Sequence, residues 1–153
     1  MEHLGERIAR HAIIGLDTVV FIYHLEAHPH YRPLTRELLA AVQSGQHEAV
    51  TSVITVMELT VRPWQIARPA VAREYDALLL HFPHLTLEDV TRDVARRAAQ
   101  LRARYRLRPA DALQVATAMI HGATAFVTND RQLTRLAEML DVIILDDFSS
   151  PQS

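Results

Sequence analysis

A chain of 153 residues, 49% hydrophobic and 22% charged, has the balance of an ordinary folded domain and not of a disordered one. Its net charge of −2 offers no global basic field for nucleic acid, and the lack of cysteine excludes disulfides, thiolate metal sites and cysteine nucleophiles. All sixteen basic residues are arginine, so the P-loop and other phosphate chemistries that need a site lysine are excluded as well.

In chain order, the N-terminus mixes acids and bases before a short apolar run, unlike a signal peptide. No stretch approaches the roughly 18 apolar residues of a membrane span, so a cytoplasmic protein without membrane contact is expected. Residues 12–16 read as a buried strand ending at Asp17-Thr18, both good helix N-caps, with a helix over 19–25 to follow. Prolines mark 28–33 as a loop. An amphipathic helix over 34–44 carries Leu38, Leu39 and Val42 at helical spacing and stops at Gly45. A second strand is expected over 48–53 and a helix over 54–61, ended by Pro63. The spacing of Val71, Tyr75, Leu78 and Leu79 predicts a helix over 69–81.

A short strand over 84–87 and a helix over 92–105 come next. The run 109–121 is apolar nearly all round, so a buried helix is expected, with Pro109 in its first turn and Gly122 beyond its end. A strand over 124–128, a helix over 130–140 and a last strand over 142–145 complete the pattern, leaving a polar tail over 149–153. Strands alternating with helices imply an α/β layer fold with a mainly parallel sheet. Ligands in such folds sit beyond the carboxyl ends of the strands, at a topological switch point.

Four carboxylates stand alone in stretches without other formal charge. Asp17 is the sole charge in 12–25, Glu58 in 49–61 and Asp111 in 109–120, while Asp130 closes the uncharged run 122–129. Burying an unpaired carboxylate costs several kcal/mol, and gathering several adds repulsion unless a cation answers them. No arginine lies inside these runs, so a hard divalent cation with oxygen ligands is the simplest answer. Each acid also has an ordinary explanation: Asp17 and Asp130 as N-caps, Asp111 against a helix dipole, Glu58 on an exposed face.

The segments LDTVVFIY around Asp17, TVMEL around Glu58, PADALQVATAMIHGA around Asp111 and FVTNDRQL around Asp130 resemble the PIN-domain family, and within it the VapC-type toxin ribonucleases of bacterial toxin–antitoxin systems. The resemblance runs from about residue 13 to 148. It implies a single PIN-like nuclease domain over 1–153 with its core at about 12–148. The implied architecture is a three-layer α/β/α fold around a mainly parallel sheet of about four to five strands. It also implies a Mg²⁺- or Mn²⁺-dependent endoribonuclease whose four acids are Asp17, Glu58, Asp111 and Asp130, accompanied by the hydroxyl of Thr128. On this reading Asp17 and Asp111 contact the ion directly, and Glu58 and Asp130 act through water or complete the site. Thr18, Thr128 and Asn129 are expected to orient carboxylates or waters.

Partners implied by the resemblance are an RNA substrate, a cognate antitoxin and a second copy of the chain. The alternatives are a stand-alone RNA-processing nuclease and a PIN-like module that binds RNA or protein without cutting. Arg102, Arg104, Arg106 and Arg108, just before Asp111, are candidates for gripping RNA phosphates, against a solvated helix end. Arg131 is a further candidate beside Asp130. The cluster His24, His28 and His30 reads as solvated loop residues because nothing completes a tetrahedral metal set. Trp64 is expected to pack its loop against the core, with anchoring of a partner peptide by its indole as the alternative.

Overall fold

The computed structural model describes residues 1–149; the expected tail beyond Ser149 lies outside the described residues. Five strands form one sheet: β1 (Ile13–Leu16), β2 (Glu48–Ser52), β3 (Leu85–Glu88), β4 (Ala125–Thr128) and β5 (Asp141–Ile144). Their order is β3-β2-β1-β4-β5, and every neighbouring pair is parallel. The chain builds outward from β1 to β3, then returns to the other side of β1. The switch point therefore falls between the carboxyl ends of β1 and β4, where Asp17 and Asp130 follow their strands.

Helices cover both faces. On one side lie α1 (Leu4–Ile8), α2 (Thr18–Leu25), α3 (Arg32–Gln43), α4 (Val53–Gln65) and α5 (Pro69–His81), packed on Ile14, Leu16, Val127 and Ile143. On the other, α6 (Arg92–Tyr105) and α7 (Pro109–Ile120) pack on Val50, Phe126, Val142 and Ile144. The alternation of strand residues between two apolar clusters is what a sheet buried on both faces requires. The result is the expected three-layer α/β/α arrangement.

Gly15 sets how near α7 can come. A Cβ at this position would stand 2.6 Å from the Ala118 Cβ and 2.8 Å from Phe126 Cδ1, closer than atoms tolerate. Its absence lets α7 lie against β1, which brings the start of that helix over the switch point.

Several elements depart from the sequence pattern. Helix α1 precedes the first expected strand, and its Leu4 and Ile8, four apart, are both buried. Helix α3 begins at Arg32, with Pro33 in its first turn, where the missing N–H has no helical partner to lose. Strand β2 stops at Ser52, whose hydroxyl caps α4 by accepting from the Ile54 N–H at 3.1 Å. Helix α4 runs through Pro63 to Gln65. A proline in the last turn sacrifices one bond, and its own carbonyl accepts from the Arg68 N–H at 2.8 Å. Trp64 thereby rides an exposed helix face, 55% accessible, instead of packing inward. The helix expected over 130–140 is a six-residue 3₁₀ turn, Arg131–Leu136, whose buried Leu133 and Leu136 are spaced three apart. A second 3₁₀ turn, Leu145–Phe148, follows β5. Among the described residues no helix is long and apolar enough to cross a membrane.

Candidate metal and active site

A cleft of about 360 Å³ opens at the switch point, lined by Asp17, Thr18, Glu58, Arg108, Asp111, Thr128 and Asp130. Four elements bring the acids there. Asp17 caps α2 at the end of β1, Glu58 lies in the second turn of α4, Asp111 sits in the first turn of α7, and Asp130 caps the 3₁₀ turn after β4. The ordinary cap roles are therefore real for two of them, and they coexist with convergence on one cleft.

Asp17 is the most deeply set, 9% exposed. Its Oδ1 accepts from the Thr18 N–H at 2.8 Å, and its Oδ2 from the Thr128 hydroxyl at 2.7 Å. Thr128 in turn accepts from the Asp130 N–H at 3.1 Å, so one buried hydroxyl links two of the acids. Burial pushes the Asp17 carboxyl up to about 6; the two hydrogen bonds oppose the rise, and the neighbouring Asp111 and Glu58 add to it. Burial raises Asp111 too, with Arg108 opposing and Asp130 and Glu58 reinforcing. Glu58 accepts from the Thr18 hydroxyl at 2.8 Å. Asp130 accepts from the Gln132 N–H at 2.9 Å.

The cation that answers these acids within the chain is Arg108. Its Nε lies 3.6 Å from Asp111, and its Nη2 lies 3.5 Å from Asp130. Both contacts are long, and the Arg108 side chain is 73% exposed, so the neutralisation is weak. Asp17 and Glu58 have no cationic partner among the described ion pairs. Among the described residues no three acidic or histidine side chains draw together into a ready-made metal cage. The donor set is nonetheless all oxygen, partly buried and mutually repelling. That chemistry fits Mg²⁺ or Mn²⁺, since Mg²⁺ takes a few carboxylates and keeps several waters.

The other sequence candidates lie elsewhere. Arg102 donates to the Leu107 carbonyl at 3.1 Å, Arg104 pairs with Glu138 at 2.9 Å, and Arg106 closes α6 in a left-handed conformation at φ 56°. Arg131 turns to Asp147 at 2.8 Å and to Asp146 at 3.4 Å. Of these five arginines, only Arg108 lines the cleft. Asn129 donates to the Tyr23 hydroxyl at 3.1 Å and accepts from the Asp146 N–H at 2.9 Å, tying β4 to α2 and the last 3₁₀ turn. His28 accepts from the backbone N–H groups of His30 and Tyr31, which holds the loop. Sequence reasoning passed over Gln114, Thr51, Ser52 and Thr55, which form a buried polar layer beneath Thr18. The available signal was a glutamine in a helix otherwise apolar nearly all round.

A wholly parallel α/β sheet with acids gathered at its switch point defines the class. The PIN domain family matches residues 14–139, most of the chain, and the protein belongs to that family, whose members are nucleases. No curated protein matches. Among solved structures, the chain is similar to a toxin–antitoxin complex from Klebsiella pneumoniae at 24% identity and TM-score 0.61, covering 88% of this chain and 97% of that one. It is also similar to DNA-bound VapBC from Salmonella typhimurium, at 22% identity and TM-score 0.65, with 87% and 97% covered. FitAcB from Neisseria gonorrhoeae aligns at 21% identity and TM-score 0.63, with 87% and 97% covered. At these identities the likeness establishes the fold.

Proposed function

We propose that the protein is a metal-dependent endoribonuclease of the cytoplasm and the toxin half of a toxin–antitoxin pair. The observation that carries this reading is Asp17: a carboxylate buried at the switch point, with no cationic partner among the described residues, facing a cleft shared with three further acids. A chain gains no stability from such an arrangement, and a bound divalent ion would relieve it.

Asp17 and Asp111 would hold Mg²⁺ or Mn²⁺ directly, with Glu58 and Asp130 engaged through water. Such an ion, when bound, supplies Lewis acidity for attack of water on a phosphodiester and offsets charge on the phosphate oxygens. The chain does the rest. Thr128 and the Thr18 N–H fix both oxygens of Asp17, so its remaining lone pairs face the cleft. Thr18 orients Glu58 through its hydroxyl. Arg108, exposed at the rim, offers a guanidinium to an incoming phosphate. Arg102, Arg104 and Arg131 are engaged with their own chain and Arg106 does not line the cleft, which leaves Arg108 as the phosphate contact this reading retains.

The partner surface belongs to α4 and α5. Met57, Val61 and Trp64, four and three residues apart, share an exposed apolar face, and Val61 also lines the cleft. An antitoxin seated there would reach the acids. The solved relatives named above include toxin–antitoxin complexes, which supports a partner of that kind. Ile66 and Leu80 are further exposed apolar side chains that a second copy of the chain could cover.

The test is cleavage of structured RNA by the purified protein with Mn²⁺ or Mg²⁺. Cutting that EDTA abolishes and metal restores is expected. Undiminished cutting in excess EDTA removes the mechanism, and RNA binding without cutting in either metal favours the non-catalytic module.

A further inference from the structure

We infer that Gln114 is a positioning residue for Glu58, acting through the hydroxyl of Thr18. Gln114 lies one turn after Asp111 on α7 and is buried, as are Thr18, Thr51, Ser52 and Thr55. Side chains buried this deeply must find acceptors for their protons mainly within the chain.

The assignments follow one from another. Ser52 accepts from the Ile54 N–H and donates to Gln114 Oε1 at 2.8 Å. That fixes the amide with its nitrogen toward Thr55, at 2.8 Å, and toward Thr18, at 3.0 Å. Both N–H bonds of the amide are then used. Turned over, the amide would leave its second N–H without a partner. Thr51 donates to the Leu16 carbonyl at 2.9 Å and accepts from Thr55 at 2.7 Å. Thr55 thus has no proton left for Thr18, and its oxygen, 3.2 Å from Thr18, already accepts from Gln114, so it is the poorer acceptor beside the Glu58 carboxylate. Thr18, already accepting from Gln114, has one proton left and gives it to Glu58 Oε1 at 2.8 Å. One amide, locked from below, thus dictates which way the Thr18 hydroxyl points.

The consequence is geometric. Glu58 is half-buried, with no cationic partner among the described residues, and the Thr18 hydroxyl is the side-chain donor that holds it. Without Gln114, Thr18 is free to turn its proton toward Thr55, and Glu58 loses its tether. For its effect on metal binding, this inference rests on the metal-dependent reading of the cleft; the tether itself does not.

The experiment has two arms. In metal-free protein labelled with ¹³C-glutamate, the Glu58 carboxylate resonance is followed in Gln114→Met, Thr18→Val and the double variant. Gln114→Met is expected to move the signal in the same direction as Thr18→Val and to add nothing to it in the double variant. Thr18→Ser, which keeps the hydroxyl, is expected to retain the original shift. In the second arm, Mn²⁺ affinity is expected to fall about tenfold in either single variant and no further in the double. An unmoved Glu58 signal in a folded Gln114→Met protein overturns the inference, and so do additive effects. Should Gln114→Met fail to fold, Ser52→Ala, which unlocks the amide, must move the signal the same way or the inference falls. Failure of the unaltered protein to bind Mn²⁺ would instead sink the metal reading, while the first arm still decides the tether.

Discussion

Two carboxylates at opposite ends of the parallel sheet are held in opposite ways. At the amino end, Asp141 opens β5 and accepts from Arg7 Nε at 2.8 Å and from the neighbouring guanidinium nitrogen; His11 Nε2 stands 2.9 Å away. His11 is itself held by Thr124 at 2.7 Å. Arg7 and His11 together hold Asp141 below the usual carboxylate range, against the pull of its partial burial. At the carboxyl end, Asp17 is more deeply buried, receives two neutral donors and, among the described residues, no cation, and is pushed up to about 6. The contrast separates an acid that serves the fold from one held at a cost to it. That cost is reasonable only where a ligand offsets it.

The sharpest way to break this comparison is to remove one charge from each end. Asp17→Asn and Asp111→Asn are expected to lower metal-dependent RNA cleavage by more than about a hundredfold, beyond what loss of a group that merely supports a metal ligand costs. Asp141→Asn is expected to leave cleavage intact. Equal losses from both ends, measured on one RNA substrate, would mean the acids differ in position alone.

Stability against pH should divide the ends next, measured as urea midpoints in EDTA. For Asp17 the folded value, about 6, lies above the ordinary 3.8. Its contribution is therefore fully present below pH 3.8 and lost as pH rises through 6. The loss is of order 3 kcal/mol by conversion of such a shift. Asp17→Asn should abolish that decline and stabilise the metal-free protein at pH 7. Asp141 runs the other way: its folded value is depressed, so its contribution is present above pH 3.8 and disappears on acidification. Identical profiles for Asp17→Asn and the unaltered chain between pH 4 and 7 would contradict the burial argument.

A smaller effect is expected from Arg7→Ala. It removes the main partner of a carboxylate whose side chain is 22% exposed, and should cost about 1–2 kcal/mol in the same assay, with cleavage retained. Loss of cleavage in a folded Arg7→Ala protein would mean the two ends are coupled.

Much of this was legible in the sequence, for physical reasons that differ by element. The strands and the buried helix α7 follow from apolar runs closed by Asp, Pro and Gly, and the four acids that stand isolated in the sequence are among the residues that line the cleft. What escaped depends on tertiary context. Helix α1 is five residues long, too short to declare itself by periodicity, and is held by burial of Leu4 and Ile8. The 3₁₀ turn after Asp130 shares its leucine spacing with an α-helix. Pro63 breaks helices on average, but not where the helix is already ending. The Gln114 layer was invisible because which hydroxyl meets which amide is decided by three segments far apart in sequence, Thr18, residues 51–55 and Gln114. The arginines before Asp111 looked like one patch; α6 ends among them in a left-handed turn at Arg106, and Arg108 alone reaches the acids.

Arg108 supplies the finest test, because its two roles predict opposite signs. As the cation standing between Asp111 and Asp130, it competes with a metal ion for the same carboxylates. Its contacts of 3.6 and 3.5 Å are long and exposed, so the competition is worth less than about 1 kcal/mol. Arg108→Ala should then raise Mn²⁺ affinity by up to about fivefold, the equivalent of that energy. It should also slightly destabilise the metal-free protein, since the repulsion between Asp111 and Asp130 goes unanswered. As a phosphate contact, the same residue should weaken RNA binding and reduce its salt dependence by about one ion. Calorimetry with Mn²⁺ and a salt series with uncleaved RNA read the two effects separately. A gain in metal affinity together with a loss in RNA affinity is expected, with Arg108 released from the acids when the ion enters and turned toward the substrate. A fall in metal affinity would show instead that Arg108 holds Asp111 and Asp130 in place for the ion, and the contrast between the paired Asp141 and the weakly answered acids of the cleft would have to be redrawn.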